Sequence, residues 1–130
     1  MTPLRRRLVA LLVFTALGML AELLLTRHWD GFWQVVPLVL LVLALVVLVP
    51  VNQRVVRGVM ALCIASGVIG AWLHARGKAE FALERNPALS GWALVRETLK
   101  GSSPPLLAPG AMIAIGLLGL LAAQRDDSQG

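Results

Sequence analysis

Five side chains in this sequence combine a chemistry-bearing type with a position that sets them apart: Glu22, His28, His74, Glu80 and Glu84. Glu22 is the only acidic residue within an otherwise apolar run, and an ionisable group inside a membrane is costly enough to mark a functional position by default, here a proton or cation site. It stands about one turn from the end of that run, where pairing with Arg27 or Arg76 is the structural alternative. Histidine and carboxylate are the usual ligands of zinc, copper and iron, so His28, His74, Glu80 and Glu84 are candidate metal or cofactor ligands. Their spacing fits no known ligand pattern: His74 and Glu80 are neither an H-E-x-x-H helix nor the Glu-x-x-His of di-iron bundles. Glu80 and Glu84 share a helix face within reach of Arg76 and Lys78, so a salt-bridged polar cluster is the better expectation, and no cofactor is predicted.

The elements that must position these groups are membrane helices. The chain has 130 residues, of which 58% are hydrophobic and 15% charged, and a mean hydropathy of +0.78. Soluble domains contain about 45–50% apolar residues. The apolar residues are gathered into runs at about 8–25, 32–51, 55–74 and 106–123, near the length of roughly 18–20 residues that crosses a bilayer. The fold expected is all-α: a single membrane domain over residues 1–130, a bundle of four transmembrane helices. Trp29, Phe32 and Trp33 beside the first turn mark a membrane boundary.

The net charge of +5 comes from basic residues at the ends of apolar runs, without the interleaved aromatics of a nucleic-acid surface. Arg5, Arg6, Arg7, Arg54 and Arg57 flank the first three runs on one side. By the positive-inside rule they place both termini in the cytoplasm and the segment 75–105 outside. That segment holds one helix over Lys78–Arg85, stopped by Asn86-Pro87, and a second over Gly91–Lys100 capped by Ser90, whose Trp92, Val95 and Leu99 would rest on the membrane surface. GSSPP at 101–105 is a turn of breakers, and QRDDSQG a polar cytoplasmic tail. An N-terminal signal peptide is the alternative for the first run, which is longer than the usual h-region and lacks an A-x-A cleavage site.

Small residues let membrane helices approach closely, and Gly58, Ser66, Gly67 and Gly70 in the third run with Gly110, Ala114, Gly116 and Gly119 in the fourth are the expected packing positions. The single cysteine, Cys63, lies in an apolar run as an inert thiol. No nucleophile–base pair, phosphate-binding glycine loop or CxxC occurs, which argues against an enzyme.

The string His74-x-x-Gly77-x-x-Glu80-Phe81-x-Leu83-Glu84, followed by Leu107-Ala108-Pro109-Gly110 in LAPG, resembles a group of small four-span bacterial membrane proteins of unassigned function. The resemblance covers about the last half of the chain and implies a four-span fold in the bacterial inner membrane, with no activity to carry over. Small multidrug transporters also have four spans and a first-span glutamate, but their surrounding pattern is missing here and Glu22 sits near a span end. The function expected is a non-enzymatic accessory or scaffold subunit of a larger membrane complex, whose partners are the lipid bilayer and other membrane subunits or further copies of itself, not nucleic acid. The alternatives are a proton- or cation-coupled transporter using Glu22 and a metal- or cofactor-binding membrane protein.

Overall fold

The computed structural model of the protein describes residues 2–49, 52–100 and 107–124. Those residues form five α-helices and no strand: α1 (Pro3–Leu25), α2 (Phe32–Val46), α3 (Gln53–Arg85), α4 (Gly91–Leu99) and α5 (Leu107–Ala122). The breaker turn at 101–105 and the tail beyond Gln124 lie outside the described residues, as does Pro50 at the expected end of the second span.

Each helix starts where local chemistry satisfies its free amides. Thr2 caps α1 by accepting from the Arg5 N–H at 3.2 Å, with Pro3 in the first turn, so the three arginines belong to the helix instead of preceding it. Asn52 caps α3 through its Oδ1 and the Arg54 N–H at 2.9 Å. Ser90 occupies the cap position of α4, but its side chain makes no capping hydrogen bond there. At the start of α2 the Gln34 side chain reaches back to accept from the Asp30 N–H at 3.0 Å, a variant of the capping box.

The largest departure from expectation is α3. A span ending near His74 and a separate helix over Lys78–Arg85 are one uninterrupted helix of 33 residues, about 50 Å at 1.5 Å per residue. The drop in hydrophobicity at His74 changes the surroundings of the helix, not its backbone: Ala75 to Leu83 contains good helix formers, and the first true stop is Asn86, whose Oδ1 accepts from the Ala88 N–H at 3.2 Å in the turn at Pro87. The helix exceeds the roughly 30 Å hydrocarbon thickness by several turns. α4 packs on α3, and Ala82 and Thr98 are the buried residues of their outlying portions.

α1 and α3 are long and apolar enough to cross a membrane. α2 and α5 are apolar but shorter, 15 and 16 residues or about 22–24 Å. α2 ends at Val46, and Val47 to Val49 follow as a turn. The four helices close into a ring in which α1 touches α2, α2 touches α3, α3 touches α5 and α5 returns to α1. Leu12, Leu41, Met60, Cys63 and Ile115 are the largest of its fully enclosed side chains. The α3–α5 contact is the most extensive. It is close because three glycines allow it: a β-carbon on Gly67 would meet the Pro109 carbonyl oxygen at 2.5 Å, one on Gly116 the Met60 carbonyl oxygen at 2.6 Å, and one on Gly119 would strike the Met60 side chain. Gly70 adds an ordinary contact to Pro109. Gly58 and Gly110, by contrast, face open space and Ala114 is exposed, so the expected packing role of these three is not exercised within the chain.

Candidate functional site

Between the helices, at the end that carries both histidines, lies a half-open cavity of about 570 Å³. Each wall follows from a local sequence feature. α1 ends in a Schellman turn, in which the Arg27 N–H donates to the Leu24 carbonyl at 3.2 Å and the His28 N–H to the Leu23 carbonyl at 2.9 Å. This turn requires a left-handed residue, and Arg27 takes that conformation with φ 51°. Folding back the chain at this point carries His28 over the cavity. Its imidazole stacks on that of His74 with centroids 6.5 Å apart and an interplanar angle of 21°.

α2 contributes Trp33, Gln34, Val36, Pro37 and Leu40. Pro37 has no N–H to give to the carbonyl of Trp33, one turn back on the cavity wall. Because the Gln34 oxygen is engaged by Asp30, its amide nitrogen keeps its donors. α3 supplies an apolar wall from Leu62 to Leu73, interrupted by the half-buried Ser66, and α5 supplies Ala108, Pro109 and Met112. Among the described residues no lysine, arginine, aspartate or glutamate lines the cavity.

The expected chemistry-bearing residues are therefore only partly brought together. His28 and His74 meet; Glu80 and Glu84 lie farther along α3, and among the described residues no group of three or more His, Cys, Asp or Glu could hold a metal ion. Arg76 lies over the Trp72 ring at 5.5 Å and bonds Glu80 through Nε–H at 2.7 Å, an exposed pair one helical turn apart. The expected partnership of Arg76 or Arg27 with Glu22 does not form among the described residues. Glu22 is exposed on α1 and does not line the cavity, so a conduction path through it would need a second chain to complete its walls.

A second, smaller cavity of about 120 Å³ lies at the opposite end of the ring, lined by Arg5, Val9, Gln53, Val56 and Gly119 among others. The Gln53 Oε1 is buried there without a protein partner among the described residues. Nearby, Arg57 Nη2 donates to the Ala123 carbonyl at 3.5 Å, placing a cation at the C-terminal end of α5 where the helix dipole favours one. The start of α1, the start of α3 and the end of α5 thus share one end of the bundle.

Sequence alone pointed to His28 and His74 but not to the cavity, which arises from side chains spread over four helices. Pro37 and the polar pair Ser66 and Gln34 were the available signals, since each interrupts an otherwise apolar face. No protein-family model, curated protein or solved structure matches the chain.

Proposed function

We propose that the protein is a four-span membrane protein acting as a small, non-enzymatic accessory or scaffold subunit of a larger membrane complex in the bacterial inner membrane, with both termini in the cytoplasm. Membrane embedding is supported by where the apolar surface lies. Only 22% of the most apolar window of α1 and 28% of that of α3 are buried within the chain, whereas a soluble core helix of this hydrophobicity would be mostly enclosed. Phe14, Leu17, Val39, Val42, Leu62 and Val68 all point outward.

The observation that carries the subunit role is the placement of small residues. Gly58 and Ala61 on α3, and Gly110 and Ala114 on α5, are exposed, with nothing opposite either glycine. Without a hydrophobic drive between helices in lipid, such outward small residues are the means by which another helix can approach the backbone. α2 and α5, though short, span with slight local thinning of the bilayer or with the apolar turn that follows α2.

Purification in mild detergent tests this reading. Stoichiometric co-purifying subunits are expected, and they should be lost in Gly58→Leu or Ala114→Leu while the chain itself stays folded. Isolation as a homo-oligomer with no other subunit would overturn the role.

A further inference from the structure

We propose that the cavity at the histidine end binds one molecule of an uncharged lipid with a long apolar tail and a carbonyl-bearing head, the head meeting His28, His74 and Gln34 and the tail running down α3 toward Leu62. The proposal goes beyond the subunit role and rests on the membrane-embedded part of that reading.

Size and shape come first. A volume of about 570 Å³ lies within the roughly 300–1,000 Å³ of small-molecule sites. It cannot admit a helix, whose diameter with side chains is about 10–12 Å over its whole length. Along α3 the lining runs from Leu62 to His74, about 18 Å at 1.5 Å per residue, which makes the space elongated in the direction a lipid tail takes in a bilayer. Met19 and Met112 are flexible side chains that adapt to an irregular chain.

The distribution of polarity chooses the class. The buried lining, with Met19, Leu23, Leu40 and Met112, offers no polar side chain. At the histidine end the donors gather: each imidazole offers an N–H, and Gln34, whose oxygen accepts from the Asp30 N–H, carries two more on its amide nitrogen. These donors suit carbonyl oxygens. A phosphate or ammonium head would find no lysine, arginine, aspartate or glutamate among the described lining residues to compensate its charge. Ring carbonyls, as in a quinone, and ester carbonyls, as in a diacylglycerol, share the required chemistry.

The test uses the full chain in phosphatidylcholine nanodiscs and native mass spectrometry, titrating decylubiquinone, dioctanoylglycerol and dodecyl phosphate separately. One-to-one, saturable binding of an uncharged probe is expected, and the tighter of the two identifies a ring or an ester head. Dodecyl phosphate should bind roughly tenfold or more weakly, as should the uncharged probe to the His28→Ala/His74→Ala variant, the loss expected when hydrogen bonds to a head are removed. Ser66→Leu fills the middle of the cavity and should abolish binding; Leu62→Trp, at an exposed lining position, narrows it and serves if Ser66→Leu does not fold. No saturable binding of either uncharged probe, tightest binding of dodecyl phosphate, or affinity unchanged in the folded filling variant would overturn the proposal. Carbonate washing of membranes scores embedding separately: a chain that washes off sinks both readings, and a chain that stays yet binds neither uncharged probe sinks this one alone.

Discussion

A β-carbon on Gly116 would stand 2.6 Å from the carbonyl oxygen of Met60, so α5 approaches α3 to a distance that only glycine permits. Gly67 is in the same position against the Pro109 carbonyl oxygen. Backbone cannot step aside as a side chain can, and overpacking of this kind costs about 1–3 kcal/mol. Gly67→Ala and Gly116→Ala should each lower the free energy of unfolding in mild detergent by that amount. Gly119→Ala meets the end of the flexible Met60 side chain instead and should cost less than either. No loss at Gly67 and Gly116 would show that the helices are not held at this spacing.

The glycines at open positions predict the opposite sign. Gly58 and Gly77 lie within α3 with nothing within 4 Å of an added β-carbon. Glycine in a helix interior is unfavourable relative to alanine by about 0.5–1 kcal/mol. Gly77→Ala should therefore raise stability by that order, measured by the same unfolding assay. It also tests the continuity of α3 across His74, since a loop at that point would gain nothing from helix propensity.

The difference between these two sets of glycines was illegible in the sequence. Gly58, Gly67, Gly110 and Gly116 occupy similar apolar surroundings, and only the rotation of α3 against α5 decides which of them face inward. The apolar runs, the turn at Thr26 and the α4 helix were legible, because hydrophobic length, breakers and helical periodicity are local properties. The end of α3 was misplaced for a physical reason: hydropathy reports solvent, while the backbone of Ala75–Leu83 follows propensity. The histidines could be singled out by type, yet their stacking depends on the Schellman turn at Arg27, a position where glycine would have been the recognisable signal.

That arginine carries its own prediction. Left-handed backbone costs a residue with a β-carbon about 1–2 kcal/mol, and glycine is free of the penalty. Arg27→Gly should thus raise stability by about 1 kcal/mol while preserving the His28 position. Arg27→Val should lower it and disturb the contact between His28 and His74, which NMR of the two imidazoles would detect. A stabilising Arg27→Val would mean the turn is not held at φ 51° in solution.

Cys63 offers a reporter that needs no engineering. It is fully buried, its Sγ lying 4.0 Å from the Leu40 carbonyl where α3 meets α2. Reaction with a maleimide requires local opening of that contact, so labelling in mild detergent should be on the order of a hundredfold slower than after denaturation. Rapid labelling of the folded chain would show that α2 leaves the bundle readily.

Trp92, Val95 and Leu99 form one apolar stripe on α4, and all three are exposed although the helix packs on α3. Trp92 is 68% exposed, too much for a side chain seated in the protein interior. With Arg96 and Lys100 beside the stripe, the helix has the composition of an element that lies in the headgroup region with its apolar face down, buried about 5–10 Å. In a variant retaining Trp92 as its only tryptophan, lipids brominated near the glycerol should quench fluorescence more than lipids brominated at the chain end. Val95→Asp should reduce that quenching and shift the emission to the red without changing the helix content. Equal quenching by both lipids, or none, would place α4 away from the membrane surface.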